Sequence, residues 1–193
     1  MTPASASSPR LTPQDYLLRE RDREEKYEYE NGKEIPVGGA TKEHNQIVRN
    51  LLTSIWNRVG DRGTMEAYAS DMRVYCPSIS KYYYPDLVIT EGKEVYQDDT
   101  FDTLTNPVIL IEVLSKGTEA RDRTVKFEAY RSIESFREYL LVSQGQPRIE
   151  GFYKNEKGEW ILLDPVEGMD RHFSFQTVEL AVPLEEVYQR VKL

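Results

Sequence analysis

The sequence predicts a single α/β domain, of the mixed α+β type, in which helices flank a central mixed β-sheet that carries additional β-hairpins. Three observations lead to this class. The chain has 193 residues, a length typical of one compact domain. Helical and strand patterns alternate along it. The segment from Pro107 to Leu114, PVILIEVL, is apolar on both faces except at Glu112, as in a strand at the middle of a covered sheet.

The first elements follow from local signals. Residues 1–11 are rich in Ser, Ala and Pro, which predicts a disordered tail ahead of one domain spanning 12–193. Thr12 followed by Pro13 predicts a helix start, with the helix running to Glu24. The pair Asn31-Gly32 lies between two short segments with alternating apolar residues, which predicts a tight hairpin.

The centre of the chain alternates between helix and strand. Thr41 to Val59 predicts a long helix that ends near Gly60, because its apolar residues follow the roughly 3.6-residue helical period. Those residues are Ile47, Val48, Leu51, Leu52, Ile55, Trp56 and Val59. One strand is predicted from Met65 to Tyr75 and another from near Tyr82 to the turn at Glu91-Gly92.

The elements after the buried strand complete the domain. Thr118 to Ser132 predicts a helix and Tyr139 to Val142 an inner strand. Ile149 to Tyr153 and Trp160 to Leu163 predict a hairpin. A final helix is predicted from an apolar stripe of Leu184, Val187, Tyr188 and Val191.

Composition excludes several classes of protein. The chain has 25 Lys and Arg against 33 Asp and Glu, a formal net charge of −8, which argues against strong non-specific binding to nucleic acid. No apolar run approaches the ~20 residues that cross a bilayer, and the amino terminus lacks a signal-peptide pattern. We therefore expect a cytoplasmic protein with no membrane contact. The single cysteine, Cys76, favours a packing role over a nucleophile.

The candidate chemistry starts from Glu112. A carboxylate within an apolar central strand is costly to ionise unless a cation or hydrogen-bond donors meet it. Asp86 follows Pro85 at the entry to the neighbouring apolar strand. Two acids from adjacent strands form an oxygen-rich site suited to Mg²⁺ or Mn²⁺. Such an ion activates water and neutralises the charge of a phosphate.

A phosphodiester reaction also benefits from a nearby cation. Lys126 fits by spacing, since Asp122, Lys126 and Tyr130 recur every four residues on the helix after the central strand. Lys116 is a competitor, because it shares strand parity with Glu112, although Gly117 indicates that the strand has already ended. Of the basic residues along this helix, we expect Arg121 and Arg123 to bind phosphate.

Three stretches resemble a known family: YYYPDLVI, PVILIEVLSKGT and DRTVKFEAYRSIESFREYLLVS. Together with KYEYENGKEI, TKEHNQIVRNLL and SDMRVY upstream, they are similar to the Uma2-type (DUF820) proteins of the PD-(D/E)XK nuclease superfamily, which are common in cyanobacteria. The resemblance covers nearly the whole chain after the tail. It implies a restriction-endonuclease-like core of a helix, three strands, a helix and a fourth strand.

The resemblance also implies a site and an activity. Asp86 would be the PD aspartate, Glu112 the second acidic metal ligand and Lys126 the lysine. The superfamily's usual lysine position, two residues after the acid, holds Leu114 here, so the lysine is expected to have moved to the following helix. The implied activity is Mg²⁺-dependent DNA cleavage, and cutting two strands favours a homodimer. The alternative is an inactive nuclease-fold module that binds nucleic acid or a protein.

Other residues could complete such a site. The superfamily often adds an acid from its first helix, so Glu43 or His44 on the long helix and Asp71 on the preceding strand are accessory candidates. For His44 we favour a simpler interpretation, a histidine at a helix entry whose ring bonds a nearby oxygen.

Overall fold

The computed structural model describes residues 10–59 and 64–193, in which helices and strands alternate as predicted. The helices are α1 (Pro13–Asp22), α2 (Lys42–Val59), α3 (Glu119–Arg121), α4 (Phe127–Tyr130) and α5 (Leu184–Val187). A 3₁₀ turn spans Pro77–Ile79, and a π-helical turn, Asp122–Lys126, joins α3 to α4. The strands are β1 (Tyr27–Glu30), β2 (Lys33–Pro36), β3 (Met65–Ala69), β4 (Arg73–Cys76), β5 (Lys81–Tyr83), β6 (Leu87–Glu91), β7 (Thr103–Leu104), β8 (Ile109–Leu114), β9 (Glu138–Ser143), β10 (Arg148–Lys154), β11 (Trp160–Leu162), β12 (Val166–Glu167), β13 (His172–Ser174) and β14 (Ala181–Pro183).

The main sheet is mixed, as the sequence predicts. Its order is β11-β10-β9-β8-β6-β3, and β12 also pairs with β10. Strands β8 and β9 are parallel, whereas β8 and β6 are antiparallel. Strand β8 is buried along its whole length between these two neighbours. This confirms the prediction drawn from its two apolar faces.

Alternate residues of β8 pack into two different cores. Ile109, Ile111 and Val113 face a core formed with α2, α5 and the β13–β14 hairpin. Leu110 and Leu114 face a second core formed with α4 and strands of a smaller sheet. Because side chains alternate along a strand, Glu112 points to the second face, between the main sheet and the segment that carries Lys126.

The smaller sheet has the order β2-β1-β5-β4-β7 and packs against α1. The Thr12 hydroxyl caps α1 by accepting a hydrogen bond from the Asp15 amide at 3.1 Å. Asn31 and Gly32 have φ angles of 52° and 83°, the positive values that a tight hairpin of this kind requires. The predicted first helix and hairpin are therefore confirmed, and β1 carries Glu28 towards the second core.

Two predicted strands are wrong, for the same reason. The stretch from Met65 to Tyr75 forms β3 and β4, which belong to different sheets. The chain reverses between them through a turn in which the Met72 amide donates to the Ala69 carbonyl at 3.1 Å. The stretch after Tyr82 likewise divides into β5 and β6 around Pro85, which has no amide to donate to a ladder. This second break places Asp86 at the start of a main-sheet strand.

Smaller differences concern the two ends and one side chain. The final helix is the single turn α5, and the β13–β14 hairpin before it was not predicted. The predicted core residue Trp56 is 45% exposed. Residues 1–9 of the predicted tail and Gly60 lie outside the described residues, whereas the Leu11 carbonyl accepts a hydrogen bond from the Tyr29 hydroxyl at 2.7 Å.

Within the described part of the chain, no helix is both long enough and apolar enough to cross a bilayer.

Candidate functional site

The pairing of β6 with β8 brings the two predicted acids together. Leu87 pairs with Ile111 and Val88 with Leu110 in antiparallel register. Continuing this register by one position sets Asp86 opposite Glu112. Residues directly opposite each other in an antiparallel pair have Cβ atoms roughly 4.5–5.5 Å apart, so both carboxylates lie at one place on the second face of the sheet.

Asp86 is held by two donors. Its Oδ2 accepts a hydrogen bond from the Val113 amide at 2.7 Å and lies 3.1 Å from His44 Nε2. His44 lies in the first turn of α2, where its own amide donates to the Thr41 hydroxyl at 3.1 Å. The interpretation of His44 as a histidine bonded to a nearby oxygen is thus consistent with the structure, and that oxygen belongs to Asp86. Both contacts fall on Oδ2, and among the described residues Oδ1 has no hydrogen-bond partner.

Glu112 is almost fully enclosed, with a side chain 3% exposed. Its Oε1 accepts hydrogen bonds from the Lys126 ammonium at 3.0 Å and from the Tyr130 hydroxyl at 2.9 Å. Burial raises the pKa of this carboxyl above its usual range, and the neighbouring carboxylates Asp122, Asp86 and Glu28 raise it further, against the opposing effect of Lys126. Glu112 is therefore a buried acid in a region of excess negative charge.

Lys126 contacts three carboxylates at once. Its Nζ lies 3.0 Å from Glu112 Oε1, 3.2 Å from Asp122 Oδ1 and 3.3 Å from Glu28 Oε1. Burial alone would lower the pKa of the ammonium, but these three carboxylates outweigh it and raise the pKa. The group stays positively charged at neutral pH. The π-helical turn that carries Asp122 and Lys126 buries both side chains; such turns are rare, and they occur frequently at functional sites.

The sequence did not mark Asp122 and Glu28 as site residues. The sequence does contain an indication that Asp122 belongs to the site, because it precedes Lys126 by four residues on the same helix face. Glu28 has a weaker one, as a polar residue alternating with tyrosines in β1. Its Oε1 also accepts a hydrogen bond from the Tyr84 amide at 3.2 Å, a contact across 56 residues that no local pattern indicates.

These side chains line one cavity of about 610 Å³. Its walls include Asp86, Glu112, Lys126, His44, Glu28 and Asp122. A second cavity of about 960 Å³ adjoins it and shares Thr41, Ser115 and Gln144 in its lining. The larger cavity contains neither the paired acids nor Lys126, so the candidate site lies in the smaller one.

The remaining accessory candidates lie apart from the acids. Glu43 lines the larger cavity and is absent from the lining of the smaller one. Asp71 lies in the turn between β3 and β4 instead of on a strand; its side chain is 92% exposed and pairs with Lys26. The placement of Asp71 on the preceding strand is therefore corrected, because the chain leaves the main sheet at Ala69.

Both predicted phosphate-binding arginines are engaged within the protein. Arg121 forms ion pairs with Glu28 and Glu30 and so ties the β1–β2 hairpin to the helical segment. Arg123 pairs with Glu119 at 2.8 Å and with Glu150. Burial would lower the pKa of Arg121, but the two glutamates outweigh it and the pKa is raised. The pKa of Arg123 is raised mainly by its hydrogen bond to Glu150.

The donor set fits a hard divalent cation held by few protein ligands. Among the described residues, no group of three or more His, Cys, Asp and Glu side chains is arranged to hold a metal ion. Mg²⁺ is commonly bound through one or two carboxylates, with water and substrate phosphate completing its octahedron. Asp86 and Glu112, which line the same cavity, supply such a pair. The same pair does not suit Zn²⁺, whose sites take three or four protein ligands, mostly Cys and His.

Comparisons with known proteins agree on family and fold. The model of the Uma2 family, described as "Putative restriction endonuclease", matches residues 13–184. An uncharacterized protein of Synechocystis, sll1609, is 34% identical over 169 residues, which cover 87% of this chain and 95% of the relative. A second, slr1290, is 32% identical over 185 residues, covering 96% and 95%.

The crystal structure of a "putative nuclease belonging to DUF820" from Anabaena variabilis has the same fold. Its TM-score is 0.74 at 14% identity, over 94% of this chain and 99% of that one. The predicted fold, a mixed sheet flanked by helices, is thereby confirmed. Since the family model spans most of the chain, as the resemblance predicts, the protein belongs to the Uma2 family.

Proposed function

We propose that this protein is a Mg²⁺-dependent DNA endonuclease that hydrolyses phosphodiester bonds at Asp86, Glu112 and Lys126. One observation carries the proposal. The family is described as "Putative restriction endonuclease", and in this chain Asp86, next to the start of β6, Glu112 of β8 and Lys126 of the π-helical turn line the same cavity, with Lys126 Nζ 3.0 Å from Glu112 Oε1. These are the residue types that cleavage of a phosphodiester requires.

Each residue has a distinct part in the proposed reaction. Asp86 and Glu112 would hold Mg²⁺ or Mn²⁺, which when bound neutralises phosphate charge and makes a bound water more acidic. His44 and the Val113 amide fix Oδ2 of Asp86, so this carboxylate is oriented before substrate arrives. Tyr130 orients Glu112 through its hydroxyl. The Lys126 ammonium lies beside these acids, where it stabilises negative charge that develops on the phosphate.

The alternative is an inactive module of the same fold that binds nucleic acid or a protein. Its support is that the cations near the site are already paired: Lys126 with three carboxylates, and Arg121 and Arg123 with glutamates. The two functions differ in a measurable outcome. A module binds DNA without a requirement for divalent cations and leaves the backbone intact.

Asp86→Asn provides the test. Purified wild-type protein should nick or cut supercoiled plasmid DNA in the presence of Mg²⁺ or Mn²⁺, and chelation by EDTA should stop the reaction. The Asn variant loses the charge that holds the cation, so we expect cleavage to fall to background in a gel assay while circular dichroism shows an intact fold.

The matched control is Asp164→Asn, which changes the same group at an exposed position outside the cavity. It should cleave at the wild-type rate. Equal cleavage by wild type and Asp86→Asn would identify a contaminating nuclease and remove the proposal.

A further inference from the structure

The Lys126 ammonium occupies the centre of the acidic site. A lysine ammonium has three N–H donors, and three carboxylates lie 3.0, 3.2 and 3.3 Å from Nζ. They come from three separate parts of the chain: Glu28 from β1, Glu112 from β8 and Asp122 from the π-helical turn. All four side chains are almost completely buried. The ammonium is thus surrounded by oxygens in the way that a bound cation is.

The ammonium does not balance the charge around it. Four carboxylates line the cavity, at Glu28, Asp86, Glu112 and Asp122. Two further cations line it and are shared with carboxylates outside the lining: Arg121, which pairs with Glu28 and Glu30, and Lys26, which pairs with Asp71. Asp122 Oδ1 is buried and, although within ion-pair distance of Lys126, lacks a hydrogen bond among the described residues. A buried carboxylate oxygen without a donor is costly, so additional positive charge in this cavity is favourable.

The position of the ammonium limits how a second cation can enter. Glu112 Oε1 is already shared by Lys126 and Tyr130. A divalent ion bound to the same carboxylate would stand close to a full positive charge, and like charges repel strongly where water is largely excluded. The lysine side chain has four flexible methylenes, which allow its ammonium to withdraw without movement of the helix.

We propose that Lys126 is the resident cation of this site and competes with the divalent ion, so that the site alternates between an ammonium-filled and a metal-filled form. The inference rests on the proposed function for the identity of the metal ligands, Asp86 and Glu112. It adds that the ammonium gives up its contact to Glu112 and leaves its enclosed position among the three carboxylates when the metal enters. The lysine thus sets the metal affinity of the protein as well as contributing to the reaction.

Calorimetric titration of MnCl₂ into the full-length protein without DNA tests this competition. Lys126→Met keeps much of the side-chain volume and removes the charge, so the acidic site should bind Mn²⁺ at least roughly tenfold more tightly than in the wild type. Lys116→Met is the matched control, because Lys116 is exposed on the rim of the adjoining cavity. Its affinity should stay within about twofold of the wild type.

A gain in affinity separates competition from a structural role, since a lysine that only stabilised the fold would weaken metal binding when removed. Equal or weaker Mn²⁺ binding by a folded Lys126→Met protein would overturn the inference and leave the proposed function standing. An absence of Mn²⁺ binding by the wild type and both variants would remove both.

A second measurement needs no variant and covers the case in which Lys126→Met does not fold. Wild-type protein is acetylated briefly with acetic anhydride, with and without saturating Mn²⁺, and modification at each lysine is quantified by mass spectrometry. Withdrawal of the ammonium predicts that labelling of Lys126 rises at least roughly fivefold with Mn²⁺, while Lys116 is unchanged. An unchanged or lower rate at Lys126 would contradict displacement.

Discussion

Replacing Glu112 with Gln is expected to slow DNA cleavage by at least roughly 1,000-fold, equivalent to about 4 kcal/mol of transition-state stabilisation. The amide keeps the shape of the side chain and an acceptor oxygen for Lys126 and Tyr130, which both donate to Oε1. It removes the negative charge that would hold a divalent cation. Initial rates of plasmid nicking at saturating Mg²⁺ measure the effect.

The fold should survive this change, because Lys126 retains Glu28 and Asp122 as ionic partners. Thermal unfolding followed by circular dichroism checks this point. Glu128→Gln is the control, since Glu128 is exposed on α4, and its activity should match the wild type. A folded Glu112→Gln protein that kept half or more of the wild-type rate would contradict a catalytic role for Glu112.

Replacing Arg121 with Ala is expected to lower the free energy of unfolding by about 3 kcal/mol. Arg121 pairs with Glu28 and Glu30, and Glu28 is almost completely buried. Removing the guanidinium leaves Glu28 with less compensating charge and frees the β1–β2 hairpin from the helical segment. Urea denaturation measures the change. Arg171→Ala, at an exposed arginine, should change the free energy of unfolding by no more than about 0.5 kcal/mol.

The same variant decides between two roles for Arg121. If Arg121 contacted phosphate, as the sequence predicts, its loss would leave stability unchanged and reduce the slope of log affinity for DNA against log salt concentration by about one. With Arg121 engaged by two glutamates, the expected result is the reverse: a large loss of stability with the salt slope unchanged. Unchanged stability with a smaller slope would show that the ion pairs are incidental.

The central strand and its acid could be predicted because their signals are local. Eight consecutive residues, Pro107 to Leu114, contain one polar side chain, and a strand apolar on both faces has few positions in a fold besides the centre of a sheet. Helical spacing made Lys126 a candidate and the resemblance to the Uma2 family assigned it; the structure has its ammonium 3.0 Å from Glu112 Oε1. Asp86 and Glu112 lie opposite each other because β6 and β8 pair, and both strands can be recognised in the sequence.

The errors occur where tertiary contacts decide the outcome. A chain that continues in one strand and a chain that turns into a second sheet have the same alternating pattern, so the break after Ala69 has no clear local signal. The break after Tyr83 has one, Pro85, which shows that a strand ends but not that the next strand joins another sheet. Glu28 lies in the site because the β1–β2 hairpin, which is far from Glu112 in the sequence, folds over the main sheet. Arg121 looks free in sequence, and only that hairpin supplies its partners.

A crystal of the full-length protein soaked in MnCl₂ offers the most direct measurement, because anomalous scattering locates Mn²⁺ independently of activity. The expected result is one strong anomalous peak within about 2.0–2.5 Å of a carboxylate oxygen of Asp86 and of Glu112. A well-ordered crystal with no peak at these two carboxylates, or with Mn²⁺ bound only elsewhere, would contradict the assignment of this cavity as a metal-dependent nuclease site.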